Sequence, residues 1–140
     1  DSKKMRWGMN LVWQLANCFT VKEWLPEVFD LFYVNENLKH LQEGSEISMI
    51  NCDGTGITLE AVPESMKHYI LDDLNDLLKD WKHIPGAKTN IETLIKYTQR
   101  PEFTDEHHRV FRKKFRLMDE YKKTNIFELS PRFRELYDFR

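Results

Sequence analysis

Apolar and polar positions alternate along this chain in two kinds of pattern. The first run, Met9-Asn10-Leu11-Val12-Trp13-Gln14-Leu15-Ala16, is short and rich in apolar side chains, and periodicity alone does not separate a buried strand from a helix. Gly8 before it and the polar break Asn17-Cys18-Phe19-Thr20 after it favour a strand. The stretch Trp24 to Tyr33 is helical in spacing, with Leu25, Val28, Phe29 and Phe32 on one face. Pro26 suits a first turn, where its missing N–H has no partner to lose, and Glu27 and Asp30 complement the helix dipole. These features predict a helix over about Glu23 to Val34.

After a polar link, Glu46 to Asn51 is a second strand candidate, and Cys52-Asp53-Gly54-Thr55-Gly56 reads as a loop. Ile57 to Val62 is expected as a connection rather than a hairpin return, although Asp-Gly is a turn signal. Pro63 opens the strongest helix, Glu64 to Trp81. Its Met66, Tyr69, Ile70, Leu74, Leu77, Leu78 and Trp81 face inward, and Asp72, Asp73, Asp76 and Lys79 are expected in solvent. Pro85-Gly86 ends that region, and Thr89 is the expected N-cap of a helix over Asn90 to Gln99. Thr104, followed by Asp105 and Glu106, starts a long helix to about Lys123. Its expected apolar side is Val110, Phe111, Phe115, Met118 and Tyr121. Ser130-Pro131 caps a last helix, Arg132 to Phe139. The order is strand, helix, strand and four helices. Two strands rarely make an independent sheet, so the chain reads as part of a larger α/β unit.

Composition narrows the function classes. The 140 residues supply one core's worth of chain. With 41% hydrophobic and 31% charged residues, the chain is one that folds. A formal net charge of −2 argues against a general nucleic-acid binder, which needs clustered excess base. No run approaches the roughly 18 apolar residues that cross a bilayer. The opening DSKKMRWGMN does not read as a signal peptide, so a cytoplasmic location without membrane contact is expected. Cys18 and Cys52 are too few to supply an iron–sulfur or structural zinc site, and reduced thiols are expected.

Candidate chemistry is sparse. His40, His68, His83, His107 and His108 show no metal-ligand spacing and read as ordinary histidines. Gly54-Thr55-Gly56 is too short for a phosphate loop. The stripe Asp72, Asp73, Asp76, Asp80 reads as a solvated helix face rather than a cation site, since carboxylates on one helix rarely converge. The basic run Arg109, Arg112, Lys113, Lys114, Arg116 reads as the polar side of an amphipathic helix, which argues against nucleic acid as a partner. Strand ends are more informative. If Asn10 to Ala16 and Glu46 to Asn51 are neighbouring parallel strands, Asn17, Cys18, Asn51, Cys52 and Asp53 gather at their carboxyl ends, where α/β sheets hold ligands. Asn17 and Asn51, and less strongly Gln14, are the candidate binding residues, because an amide both donates and accepts. No catalytic or metal-binding residue is assigned.

Three strings carry a family likeness: NLVWQLANCFTVKEWLPEVFDLF, EISMINCDGTGITLEAVPESMKHYI and FRKKFRLMDEYKKTNIFELSPRFRELYDF. In layout they resemble the C-terminal part of radical S-adenosylmethionine proteins with a twitch or SPASM-type region. These have a late strand, a helix opening Leu-Pro-Glu, a further strand, a Pro-initiated helix and a closing helix. The resemblance implies a partial (β/α) barrel segment with parallel strands over residues 1–62, followed by a mostly helical C-terminal region over 63–140. It implies a parent protein that uses S-adenosylmethionine and a 4Fe-4S cluster on a peptide, carbohydrate or small-molecule substrate. This segment would contribute barrel wall and cofactor or substrate rim, and would be inactive alone. The family's CxxxCxxC loop is absent, and Cys18 and Cys52 stand 34 positions apart, so neither cofactor is expected to be held by this chain by itself. The alternative is a non-enzymatic helical module for protein–protein interaction, with a groove rimmed by Trp24, Trp81 or Tyr97.

Overall fold

A computed structural model describes residues 8–38, 46–52, 54 and 56–140. His40 and Asp53 therefore lie outside the described residues. Strand β1 (Gly8–Trp13) pairs in parallel with β2 (Glu46–Asn51), from Gly8 opposite Glu46 to Trp13 opposite Asn51. Over the described residues the protein is thus mixed α/β, mostly helical, with two parallel strands. Period-two alternation sets the faces of this sheet: Met9, Leu11, Trp13, Ile47 and Met49 turn inward, while Asn10, Val12, Ser48 and Ile50 turn outward. Val12 and Ile50, opposite one another, remain 41% and 42% exposed. The strand is shorter than the sequence predicts. Leu15 to Ala16 are coiled rather than extended, because Gln14 starts a one-turn helix, α1 (Leu15–Cys18), anchored where Leu15 N–H donates to Ile57 O (2.9 Å).

Helix α2 (Val21–Phe29) buries Val21, Leu25 and Phe29 at four-residue steps. It begins two residues before the expected start, so Pro26 lies inside it rather than in its first turn, where it deletes one intrahelical bond. The chain then widens into a π-turn over Asp30–Val34, closed by Asn35 N–H on Asp30 O (2.8 Å). A 3-10 turn, Leu59–Ala61, occupies the connection before α3 (Glu64–Trp81), whose bounds and Pro63 entry match the sequence reading.

Helix α4 (Pro85–Gln99) starts earlier than predicted. Pro85 is its first residue rather than a terminator, and Thr89 lies inside it rather than capping it. Gly86 permits this, since a Cβ there would stand 2.7 Å from the Tyr33 hydroxyl. Helix α5 (Asp105–Lys122) is capped by Thr104, whose Oγ1 accepts from His107 N–H (3.1 Å). Helix α6 (Pro131–Asp138) is capped by Ser130, whose Oγ accepts from Arg132 N–H (3.2 Å).

One buried cluster draws on both the strand–helix–strand part and the helical part: Trp13, Leu25 and Phe29 pack with Ile70, Leu74, Ile91, Leu94 and Phe111. Full burial of each such side chain is worth about 1.5–3 kcal/mol. The inner sheet face rests on α4. Trp13 Nε1 donates to Thr98 Oγ1 (3.2 Å) and Tyr97 Oη to Met49 O (3.2 Å), so the two polar tips in this apolar layer are satisfied. Two expectations about helix faces are corrected. Asp73 is buried rather than solvated, because Arg132 Nη1 donates to its carboxylate at 2.6 Å. Met118 and Tyr121 are exposed, because α5 buries only His108, Phe111 and Phe115.

Candidate functional site

The carboxyl ends of the two strands are built by local hydrogen bonding. Cys52 N–H donates to Trp13 O (3.1 Å), carrying the ladder one step past β2. Asn17, in the α1 turn, reaches back: its Nδ2 donates to Val12 O (2.8 Å) and its Oδ1 accepts from Gln14 N–H (3.1 Å). Its backbone carbonyl accepts from Trp24 Nε1 (3.0 Å). Asn17 is thus at the strand end as expected, but both atoms of its amide already serve the backbone. This is the usual employment of asparagine at a helix start. It shapes the edge rather than reaching out from it.

Gln14 and Asn51 differ. Asn51 is exposed at the end of β2, opposite Trp13, and Gln14 is the next residue after Trp13. The Gln14 side-chain oxygen accepts from the Asn17 backbone N–H, the reciprocal half of a capping box with Asn17, so its amide NH2 is what it can offer outward. The Asn51 amide is bonded to no other described side chain and can both donate and accept. Ala16, in the same turn as Asn17, lines a groove of about 800 Å³ with Phe115, Met118, Ile126 and Leu129. Lys122 and Lys123 stand at this groove as well.

The thiols do not form a ligand set. Cys18 is fully buried, its Sγ donating to Leu15 O (3.4 Å), and burial pushes its pKa far above the ordinary thiol range. A sealed neutral thiol is a poor metal ligand. Cys52 is half-buried at the strand end, and no group of three or more potential metal ligands exists among the described residues.

The loop that closes the edge is seated by glycine. Gly56 has φ +79°, and a Cβ there would lie 2.6 Å from Val110 Cγ1 and 3.0 Å from the Phe111 nitrogen, so this turn lies directly on α5. Nearby along the chain, Glu60 and His107 make a link the sequence reading did not foresee. His107 Nε2 lies 2.6 Å from Glu60 Oε2 and its Nδ1 2.5 Å from Thr104 Oγ1, while Thr104 N–H donates to Glu60 O (3.0 Å). Its sequence signal was the Thr104 cap alone. The carboxylate comes from the 3-10 turn 44 residues earlier in relation to Thr104.

The rings expected to rim an interaction groove pack within the molecule. Trp24 donates to Asn17, Trp81 packs at a tilt against Phe29 with centroids 5.2 Å apart, and Tyr97 donates to Met49. The edge therefore offers amides, one half-buried thiol and an apolar groove, which suit binding of a neutral or zwitterionic ligand. Among the described residues no helix is long and apolar enough to cross a membrane. Comparison of the chain with protein-family models, with curated proteins and with solved structures gives no match.

Proposed function

We propose that this chain is the closing strand–helix–strand portion of a partial (β/α) barrel of the radical S-adenosylmethionine type, with helical cover, and that its strand ends form part of a ligand rim. The observation that carries this reading is the parallel, in-register pairing of β1 with β2 through a helical crossover. Such sheets are normally covered on both faces and extended by further strands, whereas here Val12 and Ile50 stand exposed on the outer face. Neighbouring strands of a barrel would satisfy both requirements.

In this reading Gln14 and Asn51 hydrogen-bond the polar groups of S-adenosylmethionine or of a peptide, carbohydrate or small-molecule substrate. Asn17 positions the turn that carries them. Cys18 and Cys52 do not fit an iron–sulfur cluster, since one is sealed in the core and the other stands alone at the strand end. A cluster would belong to other parts of such a protein, and this chain is a binding wall without chemistry of its own.

The test is an NMR titration of 15N-labelled chain with S-adenosylmethionine, following the side-chain amides of Gln14 and Asn51. With only the rim present, a weak millimolar contact rather than a retained cofactor is expected, and saturable shifts of that kind at these two groups, abolished in Asn51→Ala, support the reading. A titration to about 10 mM that leaves both unmoved would end it, since that limit corresponds to less than about 3 kcal/mol of binding.

A further inference from the structure

We propose that the groove between α5 and α6 is a binding site for a phosphate-bearing small molecule with at least two negative charges, such as pyrophosphate or a nucleoside polyphosphate. The groove is open to solvent, has a volume of about 460 Å³, and is lined by Arg109, Arg112, Lys113, Arg116, Leu117 and Glu120 of α5 with Tyr137 of α6. Four cations therefore face one carboxylate, in a chain whose formal net charge is −2. That carboxylate is already engaged, because Arg116 Nε donates to Glu120 Oε1 at 3.2 Å. Like charges three and four residues apart on a helix repel, so this arrangement is unfavourable unless an anion offsets it.

Arg112 gives the site its definition. Its guanidinium lies over the Tyr137 ring, 4.9 Å from the centroid, and Tyr137 is held in turn by the edge of Phe127. The group is half-buried, and its Nε is shielded from solvent without any acceptor. No carboxylate among the described residues pairs with it. A guanidinium stacked on an aromatic face is fixed in orientation, and its planar fork matches the oxygens of a phosphate. Because Nε is closed to the groove, an oxyanion there pairs with the outer Nη edge of the guanidinium, whose orientation the Tyr137 ring fixes. Arg109 and Lys113, both exposed, then add point charges on either side.

The dimensions favour a small molecule over nucleic acid. From Arg109 to Arg116 the helix rises only about 10 Å. That spans too few phosphates for a strand, which needs an extended basic track. The volume falls in the range of small-ligand pockets, roughly 300–1,000 Å³. The site is separate from the strand ends and does not depend on the function proposed for them.

Pyrophosphate titrated into the full chain, observed by calorimetry and by the Arg112 Nε–H resonance, tests the proposal. The expected result is 1:1 binding with Kd below about 1 mM at roughly 0.15 M salt, with that resonance shifting in step. Arg112→Gln is expected to weaken binding about tenfold or more, and Arg112→Lys to restore little, because it keeps charge without the fork. Lys113→Gln, at an exposed position, is expected to weaken binding by about threefold and decides the matter if Arg112→Gln does not fold. Lys96→Gln on α4 should leave the titration unchanged. The proposal is overturned by absence of saturation up to about 10 mM, or by Arg112→Gln or Lys113→Gln titrating like the parent chain. It is equally overturned if a single-stranded RNA of about 20 nucleotides binds more tightly than pyrophosphate, which would make the surface a nucleic-acid track.

Discussion

Replacing Gly56 by alanine adds one carbon at the point where the strand-end loop meets α5. Two penalties follow from the geometry. Residue 56 sits at φ +79°, where an L side chain costs about 1–2 kcal/mol. The new Cβ would also lie 2.6 Å from Val110 Cγ1 and 3.0 Å from the Phe111 nitrogen and Val110 carbonyl carbon. Carbon atoms prefer about 3.5–4.0 Å, and overpacking of this kind costs about 1–3 kcal/mol. The sum is about 2–5 kcal/mol, a large part of the about 5–15 kcal/mol that holds a domain folded. At a slope of about 2 kcal/mol/M, the urea midpoint falls by roughly 1–2.5 M. Gly8→Ala is the control. Its Cβ meets only Glu46 O at 3.7 Å, an ordinary contact, so its stability stays within about 0.5 kcal/mol of the parent and its midpoint within about 0.25 M. Adding Val110→Ala to Gly56→Ala removes the side-chain overlap but neither the backbone contact nor the positive φ. The double variant therefore remains less stable than Val110→Ala alone. A Gly56→Ala midpoint indistinguishable from that of Gly8→Ala would refute this account of the loop's seat.

Two further outcomes are expected. Asp73→Ala strands the Arg132 guanidinium, which rests over the Tyr69 ring at 4.8 Å, and should cost about 2–3 kcal/mol in denaturant melts. Exposed Asp72→Ala should stay within about 0.5 kcal/mol of the parent, and equal losses in the two would show that the buried pair carries no weight. Only one thiol should react with an aromatic disulfide reagent in the native protein and two after unfolding, because Cys18 is sealed and Cys52 half-buried. Burial raises the Cys18 pKa above its unfolded value, so its contribution to stability is intact below about pH 9. It declines at higher pH as the unfolded thiol ionises first. Stability that rises from pH 9 to 11 in the parent but not in Cys18→Ala would contradict that sign.

The elements most legible in the sequence were those with both a face and a cap. Glu64–Trp81 carried apolar side chains at three- and four-residue steps behind Pro63, and Thr104 and Ser130 are capping residues that do cap. Misreadings came where the deciding partner is remote. Pro-Gly is compatible both with the end of one helix and the start of the next, and contact between Gly86 and Tyr33 decides in favour of a start. Asp73 looks like its neighbours Asp72 and Asp76 until Arg132, 59 residues onward, reaches it. Met118 and Tyr121 continue the apolar stripe of α5 in sequence, but packing covers only its earlier turns. At the strand ends, residue type located Gln14, Asn17 and Asn51 on one edge. It could not tell that Asn17's amide would be claimed by Val12 and Gln14, since that depends on the chain coiling at Leu15.

The π-turn after α2 ties chain length to packing at a distance. A wider turn holds one more residue than an α-turn between the same two points, and this one contains Tyr33, which sits on Gly86 and accepts a hydrogen bond from Asn90 (3.0 Å). Shortening residues 30–34 by one would let ordinary helical bonding resume, yet would rotate the tyrosine off α4. The extra residue thus acts as a spacer, and homologous chains that lack it would have to begin their fourth helix elsewhere or fill the glycine's place with a side chain.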